Sequence, residues 1–242
     1  MAIDLADGRP WILLPGTLCS ERVFRAFLDE LCVPDTALQP VALQHPHVED
    51  YDEVLTETCV QGSVVCGFSL GALVAAHLAD RLPASTFLLF GLNAHADQPE
   101  KREGREQLAR DVIMEGANTA LAPRLPILAG PEPQKARALL LDMAQETAGQ
   151  ITAQTELALT RPDACEVLAR ARAPIGLLTG TEDKITPLAM AHTAAQAVPT
   201  SRVIPLEGLG HYALVEDPVA CASAVANYAS QVDTRTHCYE NL

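Results

Sequence analysis

The sequence predicts an α/β protein: a doubly wound, mostly parallel sheet of about six strands, with helices on both faces and a helical segment inserted at about 93–172. Three observations carry that prediction. Short, wholly apolar runs stop at glycine or proline, as strands buried on both faces do. Stretches with apolar residues at helical spacing alternate with them. One long stretch in the middle of the chain is helix-forming throughout and interrupts the alternation.

Trp11-Ile12-Leu13-Leu14, ended by Pro15-Gly16, reads as the first buried strand. Ser20 is placed to cap the next helix, whose apolar face is Val23, Phe24, Phe27, Leu28 and Leu31. A weak strand is expected near 37–43 and a helix from about Asp50 to Val60. Val64-Val65-Cys66 then runs into Gly67, and a helical pattern starts at once and closes before Pro83. Thr86-Phe87-Leu88-Leu89-Phe90 is a further strand, ended by Gly91. From about Asn93 to Arg172 the chain is rich in Ala, Leu, Gln, Glu and Arg, punctuated by Pro123, Pro126, Pro131 and Pro133. A helical cap over one end of the sheet is expected there. Ile175-Gly176-Leu177-Leu178-Thr179 resumes the strands, and Arg202-Val203-Ile204-Pro205-Leu206 is the last. Thr186-Pro187 and Asp217-Pro218 each read as a capped helix start with proline in the first turn, and the tail after about Asp233 is expected to fray.

At 242 residues, with 48% hydrophobic and 20% charged, the chain is expected to form one domain with a large core. A net charge of -14 speaks against nucleic acid or an anionic membrane as partner. The cysteines (19, 32, 59, 66, 165, 221 and 238) are odd in number and scattered, with no C-x-x-C pair. That argues against a disulfide framework and a zinc site, and for free thiols in a reducing compartment. Met1 to Pro10 carries acids but no basic or apolar leader pattern, so the cytoplasm is the expected location. The apolar stretch 64–79 contains Gly67, Ser69, Gly71 and His77 and reads as strand, turn and helix, not as a membrane span. No G-x-G-x-x-G or G-x-x-x-x-G-K-[ST] follows a strand signal, and neither a cofactor nor a metal is expected.

The chemistry centres on Gly67-Phe68-Ser69-Leu70-Gly71, a G-x-S-x-G pentapeptide between strand and helix. A strand reversing sharply into a helix leaves no room for β-carbons beside the turn. The apex residue is strained, with its side chain pushed out over the end of the sheet. A serine there needs a base, itself oriented by a third group, and such groups come from the carboxyl ends of other strands. After Leu178 comes Thr179-Gly180-Thr181-Glu182-Asp183, and after Leu206 comes Glu207-Gly208-Leu209-Gly210-His211. Ser69, Asp183 and His211 are therefore the catalytic candidates, in an order expected on this fold. Glu182 and Asp97 are the alternative acids; the offset of Asp183 from its strand and from Pro187 favours it.

Over nearly its whole length the chain resembles the α/β-hydrolase superfamily. G-x-x-D-x-x-x-P at Gly180–Pro187 and G-H-x-x-x-x-E-x-P at Gly210–Pro218 are similar to that superfamily's acid and histidine segments. The opening Asn93-Ala94-His95-Ala96-Asp97-Gln98-Pro99-Glu100 is similar to the enol-lactonase and carboxylesterase branch. The resemblance implies a cofactor-free serine hydrolase that cleaves a carboxylic ester or lactone through an acyl-enzyme. It also implies an oxyanion hole, with Leu70 and Thr17 as main-chain donors. Relatives usually carry His-Gly where this chain has Pro15-Gly16, a change that a main-chain donor tolerates. They also usually begin with an antiparallel hairpin, for which the ten or so residues before Trp11 leave little room. Leu18, in the loop of Thr17, and His95, at the start of the cap, are the candidate substrate contacts. His45, His47, His77, His192 and His237 read as bystanders, and Arg102, Arg105, Arg110 and Arg124 as solvated helix faces before anion contacts. The expected partner is a small-molecule ester, lactone or thioester; a homodimer stays open. Two rivals share the motifs: a lyase or carbon–carbon bond hydrolase, which arginines facing the pocket would favour, and a non-enzymatic ligand receptor, which ester turnover would exclude.

Overall fold

The computed structural model describes Leu5 and residues 7–239, with side chains up to residue 232. Six strands form one sheet: β1 (Trp11–Leu14), β2 (Leu38–Pro40), β3 (Val64–Phe68), β4 (Thr86–Phe90), β5 (Ile175–Gly180) and β6 (Ser201–Leu206). Their order is β2-β1-β3-β4-β5-β6, and every neighbouring pair is parallel. The inner strands β1, β3, β4 and β5 are buried at every position. That is why they read as continuous apolar runs instead of alternating ones. The edges β2 and β6 are largely exposed, and each holds a proline, Pro40 and Pro205, where a missing N–H donor is tolerated.

Alternate residues of the strands feed two separate cores. On one face Leu13, Cys66, Phe68, Leu88 and Phe90 pack with Phe27 and Leu28 of α1 (Arg25–Glu30) and Val225 and Tyr228 of α11 (Pro218–Tyr239). On the other, Ile12, Val65, Phe87, Leu89 and Leu177 pack with α2 (Asp52–Thr58), α3 (Leu70–His77), α8 (Cys165–Arg170) and α9 (Leu188–Ala197). Between β4 and α8 lie α4 (Arg102–Glu115), α5 (Ala117–Leu121), α6 (Pro133–Thr147) and α7 (Ile151–Thr160), with no strand among the described residues. The short α10 (Ala213–Glu216) precedes α11. No helix among the described residues is long and apolar enough to cross a membrane.

Several local expectations are corrected by where side-chain oxygens go. Ser20 stands at a 3-10 turn, Glu21–Phe24, but makes no cap, because its hydroxyl donates to Glu146 instead. Thr186 does not cap α9; Pro187 occupies that position, and the Thr186 hydroxyl turns to Asp183. Asp50 does not start a helix: its carboxylate reaches back to the His47 N–H, so a 3-10 turn at Val48–Tyr51 precedes α2. Asp217 does cap α11, its carboxylate accepting the Ala220 N–H at 2.9 Å. The chain past Asp233 remains helical to Tyr239, although the side chains there, His237 and Cys238 included, lie outside those described.

One contact fixes α3 against the sheet. A β-carbon on Gly71 would stand 2.0 Å from the Leu14 carbonyl oxygen and 2.5 Å from that of Pro15. Backbone cannot yield to that overlap as a flexible side chain can. Gly71→Ala is therefore expected to destabilise the protein by about 3 kcal/mol or more, or to prevent folding. Gly104→Ala, in α4 with nothing within 4 Å of the new methyl, should instead gain about 0.5 kcal/mol. Urea unfolding of both variants checks the contrast.

Candidate active site

Phe68 ends β3, and the next residue, Ser69, adopts φ 51° and ψ -111°, a conformation that costs a non-glycine residue about 1–3 kcal/mol. Two main-chain bonds hold it there: the Ser69 N–H donates to the Phe90 carbonyl at 2.8 Å, and its own carbonyl accepts the Leu73 N–H at 3.1 Å. Gly67 is required by the same turn, since a β-carbon there would lie 2.5 Å from the Ala72 Cα. The Ser69 side chain consequently stands at the carboxyl edge of the sheet, beside the switch point where β1 and β3 send their loops in opposite directions.

Ser69 Oγ is 3.1 Å from His211 Nε2, and His211 Nδ1 is 2.8 Å from Asp183 Oδ2. An ionised carboxylate only accepts, so Nδ1 carries the proton and Nε2 is left to accept from the serine hydroxyl. Asp183 is held from every side. Its Oδ1 accepts the N–H groups of Ile185 and Thr186, and its Oδ2 also accepts the Thr186 hydroxyl at 2.7 Å. Burial alone would raise its pKa; the hydrogen bonds and charge of His211, with those from Thr186, outweigh that and lower it. The His211 ring packs between Phe68 and Tyr212, at centroid distances of 5.2 and 5.4 Å. Room for it depends on Gly91, whose absent β-carbon would lie 3.0 Å from Cε1.

Two buried residues that sequence reasoning missed brace the loops. Glu216, 2% exposed, accepts the N–H groups of Gly210 and Tyr212, on either side of His211, and that of Ala129. The glutamate of the G-H-x-x-x-x-E-x-P segment was the available signal. Gln154, fully buried on α7, accepts the Leu18 N–H at 2.9 Å while its amide donates to the Leu43 carbonyl. It ties the loop after β1 across 136 residues of sequence, which no local pattern reveals.

The cleft over Ser69 encloses about 460 Å³, its open mouth included. Thr17, Leu70 and Ile185 line it, and the helical region contributes Lys101, Arg105 and Arg161. The main-chain N–H groups of Thr17 and Leu70 have no hydrogen-bond partner among the described residues. Asp97 makes no hydrogen bond to His211; it pairs with Arg105 through both oxygens and with Arg161 at 2.9 Å. Its side chain and that of Arg161 are each 3% exposed. Burial opposes the Asp97 charge, but the two guanidiniums still lower its pKa. Burial and the neighbouring Arg105 lower that of Arg161, against the pull of Asp97.

Other candidates lie elsewhere. The Leu18 side chain is buried in the core, with a backbone φ of 55°, and does not line the cleft. His95 does not line it either: Nδ1 stands 2.9 Å from Asp163 and 3.7 Å from Cys165 Sγ. These three residues, from the two ends of the helical region, present ligand atoms within 4.8 Å of one another, a grouping the cysteine spacing gave no sign of. Glu182 is solvent-exposed. Arg102 and Arg110 pair with Glu106, and Arg124 with Asp111, outside the cleft. Cys19, Cys59, Cys66 and Cys221 are buried free thiols; burial pushes that of Cys19 up to about 12.

No curated protein sequence matches the chain significantly. Among solved structures it is similar to a thermophilic esterase from Thermogutta terrifontis, with a TM-score of 0.77, 21% identity, and 93% of this chain and 90% of that one covered. It is similar to MenH from S. aureus (TM-score 0.78, 17% identity, coverage 93% and 95%). It is also similar to the enol-lactonase from Burkholderia xenovorans LB400 (TM-score 0.72, 20% identity, coverage 93% and 92%). At these identities the likeness is one of fold. The sequence profile of the alpha/beta hydrolase family, however, matches residues 11–224, nearly the whole chain, and the protein belongs to that family.

Proposed function

We propose that the protein is a serine hydrolase that cleaves a small carboxylic ester or lactone, with Ser69 as nucleophile, His211 as general base and acid, and Asp183 as the group that orients His211. The observation that carries this reading is the continuous hydrogen-bonded chain from Ser69 Oγ through both nitrogens of His211 to Asp183, facing a cleft. His211 Nε2 takes the proton as Ser69 Oγ bonds to the carbonyl carbon. The oxygen that becomes negative is met by the N–H groups of Thr17 and Leu70. The imidazolium returns the proton to the departing alkoxide as the C–O bond breaks, leaving an acyl-serine. Water then attacks the acyl carbon with His211 as base, and the imidazolium returns the proton to Ser69 Oγ as the acyl–Oγ bond breaks, releasing the carboxylic acid and the free serine. For a lactone the alcohol and acid remain in one molecule. A thioester would pass through the same steps with thiolate as leaving group.

A second reading gains weight from Arg105 and Arg161 in the cleft, the feature that favours a lyase or carbon–carbon bond hydrolase acting on a polycarboxylate. A neutral fluorophosphonate together with a panel of 4-nitrophenyl esters, lactones and acyl thioesters separates the readings. The serine hydrolase should be labelled at Ser69 and should turn over at least one ester or lactone with release of both products. Ser69→Ala should lose labelling and turnover while keeping its thermal unfolding midpoint within a few degrees. Turnover by Ser69→Ala at the wild-type rate would overturn the nucleophile assignment.

The acid is tested separately. Asp183→Asn removes the acceptor that keeps the proton on Nδ1, and kcat should fall on the order of 10⁴-fold, by analogy with the serine proteases. Glu182→Gln, which alters only an exposed carboxylate, should stay within about tenfold. Steady-state kinetics with the best ester decides; the reverse ranking would move the acid to Glu182.

A further inference from the structure

We propose that Lys101, Arg105 and Arg161 form an anion subsite and that the substrate handled at Ser69 carries a carboxylate. This rests on the reading of Ser69 as the reacting centre. All three cations line the same cleft as Ser69. Asp97 supplies one negative charge against three positive ones, so the group carries a net charge of +2. The surplus is unusual for this chain, in which 31 acids face 17 lysines and arginines. Elsewhere Arg22 pairs with both Asp142 and Glu146, Arg25 with both Asp29 and Asp35, and Arg124 with Asp111. A solvated helix face does not account for the cleft group, because Arg161 and Asp97 are buried.

The unused donors are those a planar two-oxygen anion needs. Arg105 gives Nε and Nη2 to Asp97, while its Nη1 has no partner among the described residues. Arg161 gives Nε to the His95 carbonyl and Nη1 to that of Ala158, leaving further N–H groups unclaimed. The Lys101 ammonium has no partner among the described residues. Asp97 holds the two guanidiniums close together, with a hydrogen bond to Arg105 and a 2.9 Å contact to Arg161, so binding need not bring them together.

Glutarate, its neutral diamide and inorganic phosphate are titrated into the protein by calorimetry at low ionic strength. Glutarate should bind at least tenfold more tightly than glutaramide and more tightly than phosphate. Lys101→Gln and Arg105→Gln should each weaken glutarate on the order of tenfold, the worth of one charge-assisted hydrogen bond. Arg102→Gln removes an equal charge from a neighbouring position outside the cleft and should leave glutarate affinity unchanged. Equal affinity for glutarate and glutaramide, no detectable glutarate binding, or equal loss in Arg102→Gln would overturn the subsite. Phosphate binding as tight as glutarate would overturn the carboxylate assignment. Should Arg105→Gln fail to fold, the partly exposed Lys101→Gln still decides. Glutarate has no scissile ester, so its binding is read independently of Ser69 labelling: failed labelling would remove the hydrolase reading and the link of the carboxylate to a Ser69 substrate, while the anion subsite itself would stand.

Discussion

The close approach of α3 to the end of β1 is the constraint on which the site depends. Gly71 lies against the carbonyls of Leu14 and Pro15, and Gly16 lies against Phe68 and Ser69, where a β-carbon would meet the aromatic ring at 2.9 Å. The two loops at the sheet's switch point are thereby pressed together. Thr17 and Leu70 come to line one cleft with Ser69 because of that contact. The strain at Ser69 is offset by burial: every residue of α3 is buried, so the helix has no freedom to relax the turn. A helix with a solvated face would leave the elbow free to rotate toward ordinary backbone angles.

What was legible in the sequence follows from how local the determining physics is. The inner strands announced themselves because both of their faces are buried, and the sheet among the described residues has the six strands expected. Ser69, Asp183 and His211 were legible because each sits a fixed few residues beyond a strand end, and the structure brings their side chains into contact. Helix starts were less legible. Ser20 and Thr186 have the right chemistry for caps, but a distant acceptor competes for each hydroxyl, Glu146 in one case and Asp183 in the other. Gln154, Arg161 and Lys101 were not legible at all, since their roles depend on loops far away in sequence. His95 misled for the same reason: Asp163 and Cys165, at the other end of the helical region, draw it away from the cleft.

The two ends of that region are fastened to each other. Ala164 donates its N–H to the Ala94 carbonyl, Arg161 donates to the His95 carbonyl, and Asp97 pairs with Arg161. The helices therefore leave and rejoin the sheet at one clasp. That clasp carries Arg161, its Asp97 also holds Arg105, and Lys101 follows Asp97 by four residues. A fold shared with an esterase and an enol-lactonase hosts many chemistries, so function has to be argued from side chains such as these and not from the fold.

Asp97 and Asp183 show how one sheet edge gives two carboxylates different work. Each follows an inner strand, each is buried, and each has a lowered pKa. Asp183 faces one imidazole, a hydroxyl and two N–H groups, so it can stabilise a positive charge that comes and goes on His211 without holding one permanently. Asp97 faces two guanidiniums that never lose their protons, and its charge is fully engaged with them. No imidazole is among the partners of Asp97, whose contacts are all with permanent cations. It also neutralises only half of what it binds. The same pairing that makes the buried Arg161 tolerable thus leaves the cleft positive beside Ser69, in a protein that is otherwise strongly acidic.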